Sequence, residues 1–464
     1  MEEKGNALLG TAPLGRLMAK YCVPCVISLL VATLYNIVDQ LFIANADYLG
    51  AVGNAANSVV FPLTVAALGL AMLLGDGCCA AVSIALGAQR QDEARRTVGC
   101  TVTLLAAAGV VLTAVYLVFA EPILVLFGAD VNPETFAMAK EYFFWIALGI
   151  PFYMFSQAMN PVIRADGSPR FAMIALVAGA LTNVVLDPIF IFACRWGMAG
   201  AAIATILGQI LSALLMAGYL FRMKTMRLDR DALRVRGSVL RRTAPLGAAS
   251  FLVQISIVLS MAVVLNMLKK YGALDEIFSQ EQYAHIPTAV VGIVMKMFQI
   301  VMSVAIGLAT GCIPIAGFNL GAEKPERVLA LQRRLLWTEA AVGAVASAAF
   351  LLLPRCIMGI FGGAQESVYY MDYAVKCIRI FLGASLLSCV NKGAAIFQQA
   401  IGNAKAATGL SVLREIVFGV SLPLILPVFM GLDGVLWFMP ISDIVTFAVT
   451  MAVVAGTVKR LKKG

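Results

Sequence analysis

The sequence predicts an all-α polytopic membrane protein: twelve transmembrane helices in two six-helix lobes related by a pseudo-two-fold axis along the membrane normal. Three observations carry that expectation. The 464 residues are 61% hydrophobic and only 13% charged, about half the charge of a soluble domain. Much of any folded surface must face water, so a soluble chain could not bury this much apolar side chain. Apolar runs of spanning length recur along the chain, and the second half repeats landmarks of the first at a nearly constant offset.

The spans are expected at about 15–43, 51–86, 97–119, 137–160, 170–193, 197–221, 243–269, 287–316, 330–353, 372–396, 406–430 and 434–458. Turns at Gly128-Ala129-Asp130, Asp166-Gly167-Ser168-Pro169 and Phe361-Gly362-Gly363 separate some of them. The second and eighth spans are over-long, so each is expected to break or to run out of the bilayer. The first span is too long for a signal-peptide core and no cleavage pattern follows, so it is expected to remain.

Basic residues set the orientation. The termini and the connections after even-numbered spans hold 26 of the 35 Lys and Arg residues, counting Lys392 and Lys405 among them. The odd connections hold five. Both termini are therefore expected in the cytoplasm. This asymmetry accounts for the net charge of +9 without nucleic acid. The basic stretch from Arg230 to Arg242 reads as a topology signal, with contact to anionic headgroups as the other reading.

The repeat is visible in short matches. Ala12-Pro13-Leu14-Gly15 recurs as Ala244-Pro245-Leu246-Gly247, and Leu86-Gly87-Ala88 as Leu320-Gly321-Ala322. Phe127-Gly128 matches Phe361-Gly362, Gly167 matches Gly402, Pro188 matches Pro423, and Gly197 to Gly200 match Gly431 to Gly434. Six spans per copy leave both copies the same way up, a parallel repeat. The expected division is an amino-terminal lobe over 1–221, a basic link over 222–242 and a carboxyl-terminal lobe over 243–464. Two such lobes with a cleft between them suit alternating access.

Several chemistries are excluded. One histidine, His285, is too few for usual zinc or histidine acid–base work. No phosphate loop is present, so uphill work would draw on an ion gradient. A membrane-embedded enzyme is disfavoured by the absence of a catalytic motif. Cys22 and Cys25 form a C-x-x-C, and Cys78 and Cys79 are adjacent; all four read as small apolar packing residues.

Charges inside a bilayer are costly and need a reason. Asp39 lies late in the first span with Asn36 three residues earlier. Asp187 lies in the fifth, with Asn183 one turn before it and Pro188 directly after. Pro188 cannot donate to the Val184 carbonyl, so a kink and a free oxygen are expected. Thr205 in the sixth span is at a similar depth. Such an oxygen-rich cluster suits Na⁺ at Asp39 and Asp187. Burial beside another carboxylate equally lets an Asp take up and release H⁺. A helix-locking polar network without ion traffic is the structural alternative. In the second half, Lys296 and Asp443 are expected to pair across the lobe or to touch substrate. Arg414 and Glu415 are expected to pair with neighbours, and Asp76 to be solvated.

Tyr35 to Asp39, Asn183 to Phe190 and Gly197 to Thr205 resemble the multidrug and toxic compound extrusion (MATE) family, in its prokaryotic branch. Gly311-Cys312-Ile313-Pro314 and Phe318 to Ala322 add to the likeness, which runs over essentially the whole chain. The resemblance implies a secondary antiporter that exports organic, mostly cationic and amphiphilic drug-like molecules in exchange for H⁺ or Na⁺. It implies no cofactor beyond the coupling ion and a place in a bacterial or archaeal cytoplasmic membrane; the chain is expected to act as a monomer. It places the cation site at Asp39, Asn183, Asp187 and Thr205, with Gln157 as a further ligand. The acids that some branches carry in the seventh and tenth spans are missing, apart from Asp372 at the outer edge of the tenth. A lipid-linked saccharide flippase of the same superfamily is the alternative, with Lys296 and Lys392 as its few cleft cations.

Overall fold

A computed structural model describes residues 8–127, 133–226, 228–280, 282–360 and 367–463. Lys4 and the turns expected at Gly128-Ala129-Asp130 and Phe361-Gly362-Gly363 lie outside the described residues, as does the Phe127-Gly128 match to Phe361-Gly362. Among the described residues, twelve helices are long and apolar enough to cross a membrane. In chain order they are α1 (Leu14–Asn45), α2 (Val52–Gly87), α3 (Gln91–Val118), α4 (Pro133–Ala165), α5 (Pro169–Ala193), α6 (Gly197–Leu220), α7 (Gly237–Gly272), α8 (Ile286–Gly321), α9 (Pro325–Leu352), α10 (Val368–Ala400), α11 (Ala404–Met430) and α12 (Leu432–Lys462). The over-long α2 and α8 do not break; each runs through an internal proline, Pro62 or Pro314. The helix α7 starts at Gly237, so the last residues expected in the link form its first turns.

The repeat is written into the backbone. Gln89 and Glu323, which follow α2 and α8, have φ of 61° and 56°. Each closes its helix with the same bond back across the turn, Arg90 N to Ala85 O at 2.8 Å and Lys324 N to Asn319 O at 2.9 Å. Gly167 and Gly402 share positive φ after α4 and α10, and Gly197 and Gly431 do so around the start of α6 and α12. Short helices after α3 (Ala120–Leu126) and after α9 (Pro354–Ile360) also correspond.

The basic link folds onto the first lobe. Buried Asp166, in the turn between α4 and α5, accepts from the backbone N–H groups of Lys224 at 2.8 Å and Thr225 at 2.9 Å, and from the Tyr219 hydroxyl at 2.7 Å. A side chain at Gly99 of α3 would strike Ala232, so the link packs against α3 at backbone distance. Within it, Arg236 donates to Asp231 at 2.8 Å and holds that carboxyl below the usual carboxylate range.

The lobes meet at the end that carries this link, termed here the basic end. A Cβ at Gly87 would lie 2.0 Å from the Phe318 carbonyl oxygen, and one at Gly321 would lie 2.0 Å from that of Ile84. These two crossings are equivalent under the repeat, so the pseudo-two-fold axis passes between them. Gly247 against Leu73, Gly77 against Thr243, Gly311 against Cys22 and Gly307 against Val26 extend the seam. Small residues let helices approach this closely in lipid, where packing substitutes for a hydrophobic driving force. Polar contacts pin the seam. Arg327 donates to the carbonyls of Leu9 and Ala12, Asn319 donates to Leu9, and Lys324 donates to Gly10. Asp76, expected to be solvated, is instead buried and accepts from Ser250 Oγ at 2.7 Å. Further along α1 and α8, Thr33 and Ser303 hydrogen-bond between the lobes at 2.7 Å.

Candidate functional site

Two glycines bring α5 and α6 together. A Cβ at Gly179 would lie 2.4 Å from the Gly208 carbonyl oxygen, and one at Gly208 would lie 2.4 Å from that of Gly179. Asn183 and Asp187 follow Gly179 at successive fourth positions, and Thr205 precedes Gly208 by three. The close crossing therefore sets these side chains face to face. The Asn183 amide donates to Asp187 Oδ1 at 3.1 Å and to Thr205 Oγ1 at 3.2 Å.

From α1, the Asp39 carboxyl comes against that of Asp187, close enough to share a proton. Asp39 is 7% exposed, Asn183 2% and Asp187 0%. One oxygen of each, Asp39 Oδ1, Asp187 Oδ2 and Asn183 Oδ1, is buried with no hydrogen-bond partner. Three orphaned acceptors in one place fit a group that supplies positive charge or a proton. Among the described residues, no group of three or more His, Cys, Asp or Glu could hold a metal ion. Two carboxylates with neutral oxygens match a singly charged ion.

Past Pro188, α5 does not end in a simple kink; it widens into a π-helical turn over Ile189–Ala193. Such turns absorb the strain of an interrupted backbone ladder and mark functional sites. Tyr48 clamps this turn: its hydroxyl donates to Ile191 O at 2.5 Å and accepts from Gly197 N at 3.3 Å.

Deeper in the lobe, a cavity of about 40 Å³ continues from Asn183 and Thr205, with Tyr35, Tyr153, Gln157 and Gln209 in its walls. That is roomy enough for water, which needs only ~10–15 Å³. Gln157 therefore lines the chamber adjoining the acidic pair. Asn36 does not join the cluster. It is exposed, and its amide donates to the Ala32 carbonyl of its own helix at 2.7 Å. The residue of α1 that sequence reasoning missed is Tyr35, one full turn before Asp39; the four-residue spacing was the available signal.

In the second lobe the expected pairing of Lys296 with Asp443 is not formed. Fully buried Asp443 accepts from Arg414 Nε at 2.7 Å and from Ser388, while Asn391 donates to its backbone carbonyl at 3.0 Å. Arg414 also donates to Glu415 at 2.8 Å, and Lys392 donates to Glu415 at 2.6 Å. Lys392, counted with the loop cations, is thus a buried partner in α10. The four charges balance within the lobe, and a π-helical stretch over Val412–Phe418 presents Arg414 and Glu415 to it. Lys296 is half-buried and has no ion-pair partner among the described residues.

Breaking one partner of a buried pair costs ~3–5 kcal/mol, because the other charge is stranded. Arg414→Gln is therefore expected to lower the thermal unfolding midpoint of the detergent-purified protein sharply. Arg414→Met with Asp443→Leu should recover much of the loss. A double variant no more stable than the single one would contradict this account.

The family model for MatE matches residues 24–189 and 245–425. This chain belongs to the MatE family. Multidrug export protein MepA of Staphylococcus aureus (strain MSSA476) is 23% identical over 444 residues, which cover 96% of this chain and 94% of MepA. A solved structure described as the outward-facing conformation of a multidrug resistance MATE family transporter of the MOP superfamily matches with a TM-score of 0.89. It is 23% identical and covers 99% of each chain. A crystal structure of MATE in the straight conformation matches equally well, with a TM-score of 0.89 at 23% identity. The MATE fold therefore holds across the chain, and the protein is an integral membrane protein.

Proposed function

We propose that this protein is a secondary antiporter that exports organic, mostly cationic and amphiphilic compounds in exchange for H⁺ or Na⁺. The observation that carries the reading is the Asp39–Asp187 pair: two carboxyls buried together at membrane depth, each with an orphaned oxygen. Such a pair is stable only with a proton or cation between its members. The name of MepA, an export protein for multiple drugs, supports the direction and breadth of transport.

In this reading the basic end faces the cytoplasm, and the seam of glycines and clasped backbone there closes the inward path. The seam leaves the cleft to open on the opposite face, from which the ion reaches Asp39 and Asp187. Ion binding alters how α1 packs on α5 and displaces substrate from between the lobes. Rocking then opens the seam and releases the ion inward.

The flippase alternative needs cleft cations for a pyrophosphate. Lys392 and Arg414 are engaged by Glu415 and Asp443, so of the two cations expected to serve it only Lys296 is without an ion-pair partner among the described residues.

Reconstituted vesicles test the proposal. A proton gradient and a sodium gradient are imposed separately, and a fluorescent organic cation is followed. One of them is expected to drive dye accumulation against its gradient. Dye movement indifferent to both would overturn the antiporter reading.

A further inference from the structure

Helices α1 and α9 both pack on α8, and a groove of about 630 Å³ runs between them. That volume is within the ~300–1,000 Å³ of ligand pockets. The floor and one wall are apolar: Met18, Ala19, Cys22 and Val23 of α1, and Leu308 of α8. The opposite wall comes from the other lobe and is different in kind. It carries Arg333 and Arg334 at the mouth and Trp337 and Thr338 one turn further in.

The two arginines are the last cations of α9 before its apolar run, with Glu339 turned to the inside of the lobe. They therefore stand at headgroup level near the basic end. Neither guanidinium has a hydrogen-bond or ion-pair partner among the described residues. Arg334 reaches across the groove, so that a Cβ at Gly15 of α1 would lie 3.2 Å from its Nη1. Trp337 is 73% exposed, at the depth where indole rings anchor in the interface.

We propose that this groove is a binding site for an anionic phospholipid. The phosphate is held by Arg333 and Arg334, and one acyl chain lies along Met18, Cys22, Val23 and Leu308. The charge pattern selects this occupant: unpaired guanidinium groups at the mouth call for an anion, and an apolar floor opening to the bilayer calls for a chain. The site straddles both lobes, with α1 from one and α8 and α9 from the other. A bound lipid thus bridges the seam on its lipid-facing side and favours the arrangement closed at the basic end.

Binding is testable without transport, so its outcome is independent of the antiporter reading. The full chain carrying W145F, W196F and W437F keeps Trp337 as its one tryptophan. It is placed in phosphatidylcholine vesicles containing acyl-brominated phosphatidylglycerol or acyl-brominated phosphatidylcholine, and Trp337 quenching is followed. Half-quenching is expected at a mole fraction at least about fivefold lower for the anionic lipid, the ratio one arginine near a headgroup supplies. Arg333→Gln with Arg334→Gln should erase the preference, and Arg333→Lys with Arg334→Lys should retain part of it. Equal quenching by the two lipids in the protein with both arginines intact would show an ordinary lipid-facing surface and overturn the proposal. Preference abolished by millimolar inorganic phosphate would overturn it too, by showing a site for the free anion.

Discussion

Asp39→Asn and Asp187→Asn are each expected to reduce ion-driven dye transport by between about fivefold and 150-fold, the range of typical coupling free energies between sites, with expression and thermal stability nearly unchanged. An amide keeps the size and shape of the carboxyl, and the Asn183 and Thr205 contacts can re-form around it. It cannot release a proton, and it brings no negative charge to a sodium ion. If the two carboxyls hold one ion between them, as proposed, they act as a unit, and losses at such sites do not add. The double variant should therefore transport no worse than about twofold below either single one. The measurement is the initial rate of gradient-driven dye movement in vesicles matched for protein content. Normal rates in either single variant, or losses that multiply in the double, would remove the pair from the coupling mechanism. Dye should still bind both single variants, because in the proposed mechanism substrate meets the cleft and the ion meets the pair.

The site was legible where helical spacing decides geometry, and illegible where packing between distant segments decides it. Asn183 and Asp187 are one turn apart on one helix, and their bond follows from that spacing alone. Asn36 was misplaced for a related reason: three residues turn the helix about 60° short of a full revolution, whereas the four that separate Tyr35 from Asp39 overshoot it by about 40°. The meeting of α5 with α6 rests on Gly179 and Gly208, whose role shows only once both helices are in place. In the second lobe, depth suggested that Lys296 meets Asp443. Depth gives a position along the membrane normal and says nothing about direction around the lobe. The π-helical stretch at Val412–Phe418 changes that direction and delivers Arg414 to Asp443 instead. The repeat was the most legible feature, because residues with positive φ, such as Gly167 and Gly402, mark the same turn in both copies.

The seam at the basic end makes the second large prediction. Gly87→Ala or Gly321→Ala puts a methyl group 2.0 Å from a carbonyl oxygen of the opposite lobe. The obstacle is backbone, so no side chain can swing aside, and α2 and α8 must separate there. Overpacking of this kind costs ~1–3 kcal/mol. The cost falls only on the arrangement in which the lobes touch, so the equilibrium shifts toward the one parted at the basic end, by about fivefold to more than a hundredfold. Two native thiols report the shift. Cys22 of α1 and Cys312 of α8 face each other across the seam with sulfurs 3.7 Å apart. A small maleimide should alkylate them slowly in the unsubstituted protein, where both are buried, and at least about fivefold faster in either alanine variant, read as the alkylated Cys22 and Cys312 peptides by mass spectrometry. The two variants should behave alike, since the repeat makes their crossings equivalent. Unchanged alkylation in both would mean that the glycines merely fit where they are found, and that the lobes do not part along this line.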